Sequence, residues 1–135
     1  MNRKLQVDSN PERLNLTFIH QFITNTYWAK GRSKETMQLC IDHSFNYGLY
    51  LDDEQIGFAR VLSDLGQFAY FMDVFVDEKY RGKGYAKIMM EYILKDEKFV
   101  QVKIWRLATS DAHGLYQKLG FTALAHPEKM MELMR

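Results

Sequence analysis

Val74-Phe75-Val76-Asp77-Glu78-Lys79-Tyr80-Arg81-Gly82-Lys83-Gly84-Tyr85-Ala86 decides how this chain is read. An apolar β run enters a turn with two glycines. The apolar spacing then turns helical, with Ile88, Met89, Tyr92 and Ile93 on one face of a segment from about Gly82 to Lys95. The first turn of a helix leaves backbone N–H groups without partners and carries partial positive charge. Gly82 and Gly84, lacking side chains, let an anion come within hydrogen-bond distance of those amides, and Arg81 and Lys83 add charge beside them. The turn is an anion cradle, and a diphosphate suits it. It is not a dinucleotide fingerprint, because Lys87 stands where the third small residue belongs, and no P-loop pattern occurs. The six residues alone arise by chance in roughly one chain in eight of this length. Their place between a strand and a helix carries the weight.

Upstream, Leu5 and Val7 alternate with polar neighbours as a short strand. Asn10 and Pro11 read as cap and first position of a helix with the stripe Leu14, Phe18, Ile19, Phe22 and Ile23, stopping near Lys30-Gly31-Arg32. Ser33 caps a second helix carrying Met37, Cys40 and Ile41. From Phe45 the period becomes alternating. Three strands, separated by Asp52-Asp53-Glu54 and Asp64-Leu65-Gly66, form an antiparallel meander ending at Val76. Downstream, Val100, Val102, Ile104 and Leu107 make a strand that the preceding helix places parallel to the meander's last member. Asp111 reads as cap of a short helix ended by Gly120, and Phe121–Leu124 and Met130–Met134 read as short closing strands.

The chain has 135 residues, 18 Lys plus Arg against 17 Asp plus Glu, and a formal net charge of +1, which predicts one domain over residues 1–135. The balanced charge argues against a nucleic-acid partner, and no apolar run is long enough for a membrane span. The N-terminus lacks a signal-peptide pattern, so a cytoplasmic location is expected. Cys40 alone excludes an internal disulfide, and scattered histidines predict no metal site. Ser110, Asp111 and His113 are hydrolase residue types, but neighbours on one short helix cannot align as a triad.

A second motif, Ala112-His113-Gly114-Leu115-Tyr116-Gln117-Lys118-Leu119-Gly120-Phe121, follows the cradle after one helix and one strand. The pair, in that order, resembles the GCN5-related N-acetyltransferase (GNAT) superfamily, whose members join an Arg/Gln-x-x-Gly-x-Gly/Ala turn to a later Ala-x-x-x-Tyr-x-x-x-Gly-Phe helix. The resemblance implies an α/β (α+β) fold. Its mixed, mostly antiparallel sheet has about six to seven strands and about four helices, splayed between the fourth and fifth strands. It also implies acetyl-coenzyme A as cofactor. On this reading the amides of Arg81, Gly82, Lys83, Gly84, Tyr85 and Ala86 hold its diphosphate. Val74, Phe75 and Val76 offer backbone groups to the pantetheine arm, and one of their amides polarises the acetyl carbonyl. Tyr116 matches the tyrosine that protonates the leaving thiolate, and Ala112 leaves room beside the cofactor. Thr109 stands where many members carry Asn, and can bond the pantetheine or cap the helix.

Met72-Asp73-Val74-Phe75-Val76 resembles the Glu-Asp-x-Phe-Val segment of polyamine and thialysine acetyltransferases, with Met72 in place of the Glu. Asp73 is thereby a candidate for holding the amine or acting as base. The alternative is a carboxylate satisfied by Arg60 or Lys103. Arg60 and Tyr70 lie on neighbouring strands and can face one cleft, where Arg60 either pairs with Asp73 or reads a substrate carboxylate. Tyr27 and Trp28 lie in the loop between the first two helices, the region that shapes the acceptor pocket in the superfamily. The function implied is acetyl transfer to the amine of a small molecule. The alternatives are a protein or peptide amine, or a non-catalytic acyl-coenzyme A-binding module. A homodimer is compatible with an exposed sheet edge.

Overall fold

The computed structural model describes residues 3–135. Five strands lie in sequence order in one sheet: β1 (Leu5–Asp8), β2 (Phe45–Leu51), β3 (Glu54–Ser63), β4 (Phe68–Val76) and β5 (Ile104–Arg106). The first three junctions are antiparallel and β4–β5 is parallel, as the crossover through α3 (Tyr85–Leu94) requires. Helices α1 (Leu16–Ile23) and α2 (Lys34–Asp42) cover one face, packing Ile19, Ile23, Met37 and Ile41 on Phe58 and Phe75. On the other face α3 buries Met89, Met90 and Ile93 against Tyr47, Leu49, Ala59, Val61 and Phe71, and α4 (His113–Lys118) adds Tyr116. The mixed sheet and the four helices agree with the sequence reading.

The differences have local causes. Asn10 does cap Pro11, but only a single 3-10 turn follows. Leu14 is extended and Asn15 caps α1 afresh, its side chain accepting from the Phe18 N–H at 3.0 Å. Helix α1 then stops at Ile23 instead of near Lys30. Thr26 Oγ1 donates to the Ile23 carbonyl and Asn25 Nδ2 to that of Gln21, so side chains take the bonds that further helical turns would supply. Helix α3 opens at Tyr85 because Gly82 and Gly84 hold left-handed φ values of +80° and +78°. Asp111 is not the cap of α4. Ala112 occupies that position, and Thr109 Oγ1 closes the turn by accepting from the Ala112 N–H at 3.0 Å.

Among the described residues, the strand expected from Val100 shrinks to β5, and neither expected closing strand forms. Phe121 packs on the core, but the segment that follows is broken by a 3-10 turn at Pro127–Lys129, and Met131 is 95% exposed. Pro127 lacks a ladder donor, and alternating apolar residues do not make a strand without an edge to pair with.

Strand β4 changes face in mid-course. Phe58 pairs with Phe75 and Arg60 with Met72, so Ala59 stands opposite two residues, Asp73 and Val74, in a bulge where Asp73 takes φ +54°. Before it Ala69 and Phe71 enter the α3-side core; after it Val74 and Val76 do, while Phe75 joins the opposite core. Asp73 consequently points toward α1 and α2. Next to the bulge β3 and β4 approach closely: a Cβ on Gly57 would lie 2.8 Å from the Phe75 carbonyl oxygen and 3.2 Å from Leu49 Cβ. Gly57→Ala is expected to cost about 1–3 kcal/mol by overpacking, read as a lower denaturation midpoint with an unchanged slope.

Candidate active site

Strand β5 pairs with β4 only from Phe68 to Tyr70. Beyond Tyr70 the edge of β4 that faced β5 has no ladder partner, so its peptide groups border a cleft between the two strands. The cleft has a distinct structure at each end and a buried charge cluster on its α1/α2 side.

At the C-terminal end of β4 the chain makes a 3-10 turn, Glu78–Tyr80, and then the glycine turn. Tyr80 is tethered by its hydroxyl to Glu54 at 3.2 Å, and Arg81 Nε donates to the Val76 carbonyl at 3.1 Å. Arg81 thus ties the turn to the end of the strand. Gly84 caps α3 without any side-chain hydrogen bond, and the first helical bond runs from the Ile88 N–H back to the Gly84 carbonyl. The amides of residues 82–87 therefore remain available, whereas the Arg81 N–H, expected from sequence to join them, already donates to the Glu78 carbonyl at 3.3 Å. A Cβ built on Gly82 or Gly84 would meet nothing within 4 Å. A hollow of about 250 Å³ lies here, and Val76, Arg81, Gly82, Gly84, Tyr85 and Ala86 line it. Tyr80, Lys87, Leu115 and Lys118 complete the lining and were not singled out from sequence. Leu115 and Lys118 are one turn apart on α4, so their helical spacing was the available signal. Open space, free amides and basic side chains fit the diphosphate of coenzyme A.

On α4, between the hollow-lining Leu115 and Lys118, Tyr116 is buried beside Phe121, with ring centroids 5.9 Å apart. Burial pushes its hydroxyl up to about 12, with Asp111 and Tyr27 adding to the rise. Among the described residues the hydroxyl has no hydrogen-bond partner, yet it is not one of the sealed polar atoms. Tyr27 crosses from the α1–α2 loop, its hydroxyl accepting from the Ser110 N–H at 3.2 Å. The loop thereby straps the two sides of the cleft together. Thr109 and Ala112 shape the turn below it.

Under the strap lies Asp73. Its Oδ2 accepts from Arg32 Nη1 at 2.7 Å and Arg60 Nε at 2.9 Å, and its Oδ1 accepts from Trp28 Nε1 at 3.1 Å. The side chains of Asp73 and Arg60 are 1% and 5% exposed and that of Arg32 16%. Arg60 also donates to Ser44 Oγ at 2.9 Å and contacts Met72 Sδ at 3.5 Å. Of the two roles open to Arg60, pairing with Asp73 is the one observed; Lys103 takes no part. Arg32 was not foreseen as a partner, since its loop position gives no sign of a carboxylate 41 residues away. Both oxygens of Asp73 are engaged, so the side chain is placed to hold the strap and strands together. Tyr70 lies outside this cluster, beyond Met72 on the same face.

Residues 42–123, more than half of the chain, match the acetyltransferase (GNAT) domain family. The chain belongs to the GNAT family. A solved GNAT-family protein of Xanthomonas campestris pv. campestris is 38% identical, with a TM-score of 0.94 over 100% of this chain and 96% of that one. A probable acetyltransferase of Staphylococcus aureus, 23% identical, shares the fold with a TM-score of 0.77 over 98% and 99% of the two chains. An uncharacterized N-acetyltransferase, ycf52, of Porphyra purpurea is 29% identical over 84% of this chain and 68% of its own length.

Asp73→Asn keeps the shape and tolerates the left-handed backbone but leaves two guanidinium groups without their counter-charge. A loss of roughly 3–5 kcal/mol is expected from chemical denaturation. A loss below about 1 kcal/mol would show that the cluster behaves as a surface pair.

Proposed function

We propose that the protein is an acetyl-coenzyme A-dependent N-acetyltransferase acting on the amine of a small molecule. The observation that carries this reading is the unpaired edge of β4 running into the cradle, with Tyr116 on the helix that lines it. The bound thioester would supply an activated acetyl group. The amides of Gly82 to Ala86 would bind the diphosphate, with the side chains of Arg81, Lys83 and Lys118 near it. Val74, Phe75 and Val76 have separate duties for side chain and backbone. Their side chains anchor the two cores, with Phe75 stacked on Phe22 at 4.0 Å. The Phe75 carbonyl turns to β3 beside Gly57, so the peptide groups left to serve the cleft would be those of Val74 and Val76.

Tyr116 would donate its proton from the hydroxyl oxygen to the departing sulfur. The same apolar surroundings that raise the phenol also raise a buried thiol, so the two groups shift together. With its pKa near 12 the phenol stays protonated through the neutral range. Asp73, with both oxygens bonded, acts as a positioning residue for Trp28, Arg32 and Arg60 in this reading. Deprotonation of the acceptor is then a matter of environment: burial and the excess positive charge of the cluster both favour a neutral amine.

Coenzyme A should raise the melting temperature, and acetyl-coenzyme A with an accepted amine should release thiol. Tyr116→Phe is expected to lower kcat about 100-fold while the Kd for coenzyme A stays near wild type. An unchanged kcat would remove the acid role from Tyr116. Stabilisation by coenzyme A without turnover on any amine would instead mark a binding module.

A further inference from the structure

The helices α1 and α2 cover only part of their side of the sheet. Beyond Arg60 and Asp73 the faces of β3 and β4 stay open, and a hollow of about 450 Å³ lies there, lined by Leu62, Ser63, Asp64, Phe68, Tyr70 and Met72. Its inner boundary is Met72, whose sulfur touches Arg60 Nη2 at 3.5 Å. Met72 also stands where β4 parts from β5, next to Asp73 and Val74. The phosphate cradle begins beyond Val76, about 13 Å further along at strand rise. The hollow thus sits at the opposite end of the cleft from the cradle, beside the place where the reacting end of an extended cofactor would lie.

Its chemistry is one-sided. Leu62, Phe68, Tyr70 and Met72 offer apolar and aromatic surface, with the Phe68 and Tyr70 rings 6.4 Å apart. The neighbouring charge cluster sets two guanidinium groups against one carboxylate and is left positive. Asp64, the one acid in the lining, spends Oδ1 on the N–H groups of Gly66, Gln67 and Phe68 and lies in an exposed turn. A second ammonium group carried past this cluster would meet like charge and no free buried carboxylate.

We propose that this hollow holds the body of the acceptor, and that the acceptor is a monoamine with an apolar or aromatic body rather than a di- or polyamine. This rests on the acetyl-transfer reading. Met72 decides the selectivity in part, because it puts a thioether where a carboxylate would serve a second cation.

Thiol release by the intact protein with acetyl-coenzyme A is compared for phenethylamine and putrescine. The expected kcat/KM is about tenfold or more higher for phenethylamine. Leu62→Ser and Tyr70→Ser should each raise the KM for phenethylamine about fivefold with the Kd for coenzyme A unchanged, and Met72→Glu should narrow the preference. Melting curves confirm that each variant is folded. Equal or better use of putrescine, or a KM indifferent to both serine substitutions, overturns the proposal while the transferase stands. Tight coenzyme A binding with neither amine acetylated overturns the transferase reading, and the proposal with it.

Discussion

One extra residue in β4 governs the arrangement of the whole cleft. With Asp73 left-handed, Ala59 faces two residues, and every side chain after the bulge points to the face opposite the one it would otherwise take. Val74 and Val76 enter the α3-side core, Phe75 locks α1 in place, and a carboxylate is buried under the helical side of the sheet. A buried carboxylate needs partners. Arg60 supplies one from the adjacent strand, Arg32 and Trp28 supply the others from a distant loop, and the loop becomes part of the site by the same bonds.

The strand then serves different chemistry along its length. At its start it pairs with β5 and presents aromatic side chains; at its middle it presents backbone and a neutralised acid; at its end it passes into glycines and bare amides. Polar contacts concentrate where charge must be held, and apolar surface remains where a neutral body fits. The division follows from pleat parity and from a single left-handed residue.

The elements that could be read from sequence are those specified by near neighbours. The meander follows from alternation and polar turns, Ser33 caps α2 as expected, and the glycine turn announces itself through spacing. What could not be read depends on contacts between distant residues. The bulge is masked because Phe68 to Val76 is almost wholly apolar, so a one-place slip in alternation leaves no trace around Asp73. Arg32 sits in a loop whose cations read equally well as solvated. The tail after Phe121 has the composition of strands, but β5 is only three residues long and offers little edge. Among the cradle residues, Val76, Arg81, Gly82, Gly84, Tyr85 and Ala86 were recoverable from the motif, whereas Leu115 and Lys118 arrive only when the folded chain brings α4 to the same hollow.

The backbone after β4 must act as the anion site for the cleft to hold a thioester. The most direct measurement is a ¹H–¹⁵N correlation spectrum of the whole protein titrated with coenzyme A. Saturable shifts largest at the amides of residues 82–87, continuing to Val74 and Val76, are the predicted result. Saturable shifts centred elsewhere, with those amides unmoved, would contradict it.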